Sequence, residues 1–324
     1  MLEDKFYQMF ILGTGRLDIA LKKNVGGVIF FTKDIQTNEQ FKALIDDIKS
    51  NSRTMPFLSI DQEGGRVERT ENLHDRFLSP KYAYKKGEEF LVSQTYKMLD
   101  ELKEFGINMN FAPCLDVNSN PDNPIIGERA FSDNSEEVCK GFDIVNKVYQ
   151  TENIIPVIKH FPGHGDASKD SHLELPLIDL SFDEMKSVHI KPFEHAISSN
   201  IEALMVAHLH CTCFDKENIP TSLSKNCIHY LKDKLGYKGL IISDDMFMQG
   251  VKSFGDVDAC LKGIDAGLDM FIYRDSSIET LKILEEVFKV VKTDKTLKSR
   301  IEESYNKIIK LKAKHNILYI YPTQ

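Results

Sequence analysis

Eight short, apolar, β-rich runs recur along the chain, and most are separated by stretches with helical spacing. The runs are Phe6–Leu12, Val25–Phe31, Met55–Ile60, Ile107–Ala112, Ile154–Ile158, Ala203–Ala207, Leu240–Ile242 and Asp269–Tyr273. Continuous Val, Ile, Leu and Phe without polar alternation suits strands covered on both faces. Phe41, Leu44, Ile45 and Ile48 keep the 3–4 spacing of an amphipathic helix, as do Leu297, Ile301, Tyr305 and Ile308. Eight units in 324 residues average about 40 residues each, which fits a (β/α)8 barrel. An open, doubly wound sheet would normally announce a Gly-rich phosphate turn after its first strand, and Gly13-Thr14-Gly15 is only a fragment of one. No linker-like Pro/Gly/Ser tract interrupts the pattern. Residues 1–324 therefore read as one α/β domain, a single TIM-type (β/α)8 barrel.

Composition narrows the partners. Lys and Arg total 41 against 49 Asp and Glu, a net charge of −8, which is a poor match to phosphate backbones and argues against nucleic acid. No apolar run approaches the roughly 18 residues of a membrane span, and Glu3 and Asp4 stand where a secretory signal carries positive charge. The six cysteines form no CxxC pair and several sit in apolar runs, so they read as buried hydrophobes. Together these features predict a soluble protein of a reducing compartment. The lysines at 307, 310, 312 and 314 read as the solvated face of the last helix.

In a barrel, chemistry gathers at the strand ends and the loops that follow them. After the third run comes Asp61-Gln62-Glu63-Gly64-Gly65-Arg66, with Arg69 close behind. The fourth is followed by a long loop ending in Gly127-Glu128-Arg129, and the fifth by Lys159-His160-Phe161-Pro162-Gly163-His164-Gly165 and then Asp170-Ser171-His172. His208-Leu209-His210 follows the sixth, and Ser243-Asp244-Asp245-Met246 the seventh. Five polar clusters in register exceed what solvation alone would place there.

These stretches, in this order, resemble the bacterial β-N-acetylglucosaminidases of glycoside hydrolase family 3, the NagZ type. The long Lys159–His172 motif is the most specific match, and the resemblance spans essentially the whole chain. It implies a retaining exo-β-N-acetylglucosaminidase that removes terminal non-reducing N-acetylglucosamine from peptidoglycan fragments in cytoplasmic cell-wall recycling. Asp244 would be the nucleophile, His172 the acid/base and Asp170 its orienting partner. Asp61, Arg69, Arg129, Lys159 and His160 would hold the sugar. Met246 and Gln249 stand where the family often has Leu and Glu. The resemblance implies an amino-sugar or muropeptide ligand; no cofactor or metal is expected, because two side chains supply both proton and nucleophile, and the oligomeric state is left open with a monomer favoured.

The residues carry part of this reading on their own. Retention needs a nucleophile on the anomeric carbon and a proton donor for the leaving oxygen. Asp170 and His172, two apart in an extended segment, lie on one side, so the carboxylate can accept the imidazole N–H and favour its cationic form. An imidazole titrating near neutrality can give a proton and then take one. Neighbouring strand residues point to opposite faces, which divides Asp244 and Asp245 between chemistry and helix capping. Periodicity leaves open which is which, and the resemblance selects Asp244. Lys159 should face the barrel mouth, where a carboxylate such as Asp61 would satisfy it. For Arg69 and Arg129, ligand binding competes with plain ion pairing to Glu63, Glu68 or Glu128. Gly64-Gly65 reads equally as a tight turn or as close backbone approach to a ligand.

Two other functions fit parts of the pattern. The HxH of His208 and His210 belongs to metal-dependent barrel hydrolases, although that family carries it after the first strand. His160 and His164 flank Pro162 and Gly163, which oppose the helix that would align them on a metal. A non-catalytic amino-sugar-binding protein would keep the pocket but lose a catalytic position, and every expected position here carries a competent residue.

Overall fold

A computed structural model describes residues 1–167 and 175–318. Ten strands run β1 (Phe10–Leu12), β2 (Gly27–Phe30), β3 (Phe57–Ile60), β4 (Met109–Asn110), β5 (Ile155–Phe161), β6 (Leu177–Ile178), β7 (Ala203–Val206), β8 (His210–Cys211), β9 (Leu240–Asp245) and β10 (Met270–Tyr273). Eight of them close a parallel barrel in the order β1-β10-β9-β7-β5-β4-β3-β2, with helices around it. The eight barrel strands are the eight apolar runs. β6 and β8 form a small separate parallel sheet that the runs did not reveal, because two-residue strands leave no periodic signal.

The run boundaries shift for identifiable reasons. Leu2–Tyr7 is a helix rather than the start of β1, with Glu3 and Asp4 in its first turn where they favour the helix dipole. β4 keeps two residues: Phe111 N–H still reaches Ile60 O at 2.8 Å, but Ala112 N–H turns back to Asn110 O at 2.8 Å and leaves the ladder. The side chain of Asn110 continues the connection instead, accepting from Gln62 N at 2.9 Å and donating to Gln62 O at 3.0 Å. That pair fixes where the loop after β3 begins.

Strand interiors are buried on both faces, as the unalternating runs required. Five cysteines are buried, Cys213 is half-buried, and all six are free. Among the described residues no helix is long and apolar enough to cross a membrane. One expectation fails at the last helix, Lys295–Lys314. Lys310 and Lys314 are exposed, but Lys312 is fully buried, donating to Gln8 Oε1 at 2.8 Å and lying 4.9 Å from the Phe57 ring centre. The helix turns this lysine under the barrel, where its stem packs as a hydrophobe.

Gly64 and Gly65 adopt φ of 93° and 63°. A Cβ would meet Leu78 O at 2.4 Å on the first and Ser79 Cβ at 2.5 Å on the second. Close packing of the turn against residues 78–79 accounts for both glycines.

Candidate active site

At the C-terminal ends of the barrel strands lies a cavity of about 230 Å³. Asp61, Arg69, Arg129, Lys159, His160 and Asp244 all line it, so six residues from four strand ends converge. Asp170 and His172 lie outside the described residues. Four further polar groups stand at or beside this cavity: Glu63, His164 and Asp245, which the sequence offered as an ion-pair partner, a metal-type histidine and a helix cap, and Arg274, which it did not single out.

Two strands reach the cavity through an irregularity that period-two reasoning does not foresee. On β9, Ile242 pairs with Met270 and Asp245 with Ile272, so three steps face two on β10. On β5, Ile158 pairs with Leu204 and Phe161 with Val206, again three steps against two on β7. Each is a bulge with one extra residue, and such bulges re-aim side chains. The expectation that Asp244 and Asp245 diverge to opposite faces is therefore corrected, since both line the cavity. The same device lets Lys159 and His160, adjacent in sequence, do so together.

The two aspartates nevertheless differ in what they bond. Asp245 Oδ1 accepts from Phe247 N and Arg274 N at 3.1 and 3.2 Å, capping the turn after β9, and Oδ2 pairs with Arg274 Nε at 3.1 Å. Asp244 Oδ1 accepts only the Asp245 N–H, at 2.7 Å, among the described residues. Burial pushes both carboxyls upward. For Asp244 this is outweighed by His160 and His208, which carry charge in the acid range where a carboxyl titrates, and by the Asp245 N–H and Lys159, so that it stays below the usual carboxylate range. For Asp245 burial prevails and lifts the group to about 6. Neighbouring carboxyls pushed apart in this way can take different chemical roles, and Asp244 is the one kept anionic.

Lys159 is buried between two carboxylates, 2.7 Å from Asp61 Oδ1 and 2.6 Å from Glu63 Oε1. Burial alone would lower its pKa, but these two partners raise it. Arg129 grips Glu63 with both prongs of its fork, Nε to Oε2 at 2.9 Å and Nη2 to Oε1 at 2.7 Å. Burial opposes the charge on Glu63, yet Arg129 and Lys159 hold its carboxyl well below the ordinary range. Asp61 is likewise driven up by burial and brought down further by Lys159 and Arg69, whose Nη2 lies 3.5 Å away. Ion pairing and pocket lining, posed as alternatives for the arginines, coincide here: Arg129 does both, with Glu63 as the partner. Glu63 was legible in principle, since it follows Asp61 by two in an extended segment and so shares its side.

Behind His160 stands Asp116, fully buried and outside the cavity lining. Cys114 Sγ, Asp116 and the His160 ring bring three ligand-type atoms within 4.8 Å of one another. This set does not fit a metal. A carboxylate offers about four lone-pair sites, and Asp116 already fills them with donors: Cys114 Sγ, His160 Nδ1, His160 N and His164 N. The HxH histidines are engaged separately, His208 Nδ1 with Ser222 Oγ at 2.7 Å and His210 Nε2 with Asp215 O at 3.0 Å. His164 is buried at the cavity, and burial lowers it to about 4.

The arrangement is an anionic carboxylate in a concave site whose walls carry forked and ammonium donors, each paired with a carboxylate. Such walls recognise a neutral, hydroxyl-rich ligand through hydrogen bonds. The family described as "Glycosyl hydrolase family 3 N terminal domain" matches residues 1–311. A beta-hexosaminidase of Methylococcus capsulatus is 33% identical over 267 residues, covering 80% of this chain and 78% of that protein. Beta-hexosaminidase A of Pseudoalteromonas piscicida is 30% identical over 327 residues, covering 92% of this chain, which spans 54% of that relative's length. A glycoside hydrolase family 3 beta-N-acetylglucosaminidase from Paenibacillus sp. str. FPU-7 superposes with a TM-score of 0.91 at 28% identity, covering 98% of this chain and 63% of the other.

Proposed function

The chain belongs to glycosyl hydrolase family 3, and from that membership we propose that it is a retaining exo-β-N-acetylhexosaminidase acting through a glycosyl–Asp244 intermediate. The observation that carries the reading is Asp244, a buried carboxylate at a bulged strand tip, held ionised by its surroundings and aimed into a cavity walled by sugar-type donors. Its substrate is a terminal, non-reducing N-acetylglucosamine, and peptidoglycan fragments of the GlcNAc-anhydroMurNAc-peptide type are the natural source. That substrate implies a cytoplasmic role in cell-wall recycling.

In the first step an Asp244 oxygen bonds to the anomeric carbon while the glycosidic C–O bond breaks. His172 protonates the departing oxygen, with Asp170 accepting its other ring N–H. In the second step His172 takes a proton from water, the water oxygen bonds to the anomeric carbon, and Asp244 leaves as carboxylate. Asp61, Arg69, Arg129, Lys159 and His160 orient the sugar, and fixed donors of this kind cost little reorganisation during reaction. No cofactor enters either step, because side chains supply both nucleophile and proton.

Incubation with an aryl N-acetyl-β-glucosaminide tests the activity, and release of the phenol is expected. A slow 2-fluoro glycosyl fluoride should label the peptide carrying Asp244, detected by mass spectrometry. A protein that turns over the aryl substrate yet stays unlabelled and uninhibited speaks against the covalent route. Product analysis of a muropeptide digest then decides the natural substrate.

A further inference from the structure

We propose that Asp116 is a positioning residue that locks the His160 imidazole in its Nδ1–H tautomer, so that Nε2 presents a lone pair to a substrate hydroxyl. The inference rests on the glycosidase reading for its meaning, but its central measurement does not. Asp116 lies one layer behind the cavity, fully buried and not among the residues that line it. A fully buried carboxylate is costly unless donors surround it, and here every lone-pair site is used. Oδ2 accepts from His160 Nδ1 at 2.6 Å and from Cys114 Sγ at 3.1 Å. Oδ1 accepts the backbone N–H of His164 at 2.6 Å and that of His160 at 3.4 Å. One side chain thus ties both ends of the His160–His164 turn and one ring in it.

The tautomer follows from the neighbours. An ionised carboxylate is acceptor-only, so the ring nitrogen facing Asp116 must carry hydrogen. Arg129 Nη2 lies 3.3 Å from Nε2 and is donor-only, so that nitrogen must carry the lone pair. Placing the proton on Nε2 would set a donor against a donor at each end of the ring, and a second proton there would set an imidazolium N–H against the Arg129 guanidinium at 3.3 Å, which opposes the cationic form that Asp116 alone would favour. A substrate hydroxyl at this point can donate to Nε2 while accepting from Arg129, and only the Nδ1–H tautomer permits it. Asn at position 116 supplies one acceptor and one donor, so either amide orientation faces an N–H with an N–H. Shape is nearly kept and hydrogen-bond polarity is lost.

The decisive measurement is nitrogen NMR on ¹⁵N-histidine-labelled protein, with the His160 signals assigned by their absence in His160→Phe. A protonated, pyrrole-type Nδ1 and an unprotonated, pyridine-type Nε2 are expected at neutral pH. A proton on Nε2, or rapid exchange between the two forms, overturns the proposal, and this holds even if Asp116→Asn does not fold. Kinetics on an aryl N-acetyl-β-glucosaminide add a second arm. Asp116→Asn should lower kcat/KM by about 10- to 100-fold, the scale of one or two buried groups left unpaired. In a His160→Phe background the same change should cost less than about threefold, because the two residues act as one unit. An equal loss in both backgrounds shows that Asp116 serves the fold and not His160, and overturns the proposal. A wild-type protein that releases no phenol defeats the glycosidase reading instead, and leaves the NMR result to judge Asp116.

Discussion

Two fully buried lysines stand at opposite ends of the barrel and live by different rules. At the mouth, Lys159 has carboxylates at 2.7 and 2.6 Å, and their attraction raises its pKa against burial. At the base, Lys312 has one amide oxygen at 2.8 Å and an aromatic face, and burial lowers it to about 7. The mouth concentrates charge and compensates each with its opposite, so ionised groups persist in a low-dielectric site. The base admits a lone amine with no carboxylate beside it among the described residues, and lets it lose its proton. The base also holds a roomier groove, about 840 Å³, whose lining comes from within residues 197–202, 236–240 and 307–314 and leaves out Lys312. Its lysines 307 and 314 are neutralised by Asp269 and Glu202, and it gathers no converging reactive groups. Cavity size and converging compensated charge therefore single out opposite ends of this molecule, and the proposed chemistry rests on the second.

This contrast can be broken at several points. The largest effect is expected for Asp244→Ala, which should lower kcat by about 10⁴-fold or more while leaving thermal unfolding nearly unchanged. Comparable turnover in the variant would remove the mouth's nucleophile from the account. Next, Lys159→Met leaves Asp61 and Glu63 sharing only Arg69 and Arg129, and should cost about 3 kcal/mol of stability by denaturant titration. An unchanged midpoint would mean that the ion-pair cluster carries no such coupling.

Titration separates the two ends by sign. Asp61, Glu63 and Asp116 have folded pKa values below the unfolded carboxylate value, so their contribution is complete above about pH 4 and is lost as pH falls further. Lys312 works in the opposite window, since its folded pKa of about 7 lies below the unfolded 10.5. The unfolded chain then binds the extra proton between these values, and stability rises with pH. Relative to Lys312→Met, the wild-type protein should gain up to about 1.4 kcal/mol per pH unit from pH 7 towards 10, with activity unaffected. A difference that is flat across that range would show Lys312 charged throughout. The smallest effect belongs to an exposed pair, Lys42 with Glu104 at 2.6 Å, where Lys42→Ala should move stability by less than about 0.5 kcal/mol. A larger shift there would blur the distinction between compensated burial and surface pairing.

Much of the site could be read along the chain because barrel strands end where their polar residues begin. Asp61 and Lys159 follow an apolar run directly, Asp244 follows one after Ser243, and Lys159 meets Asp61 as expected. Glu63 was weighed only as an ion-pair partner, and its place between Lys159 and Arg129, behind the cavity wall, came from the fold. Asp116 carried a faint signal, a single carboxylate inside the apolar stretch Ala112–Val117. Its meaning depended on residues some 44 positions away, which no local pattern reports. Lys312 looked like its solvated neighbours because helical spacing alone does not say which face a terminal helix turns inward.

The order of strands, the closed parallel architecture and the end at which polar residues collect follow from the sequence itself, because burial on two faces imposes apolar runs and turns impose their interruption. The aim of Asp244 beside Asp245, and of Lys159 beside His160, came only with the tertiary structure. A strand's alternation is broken by one residue when its neighbour's register demands it, and register is a property of the pair.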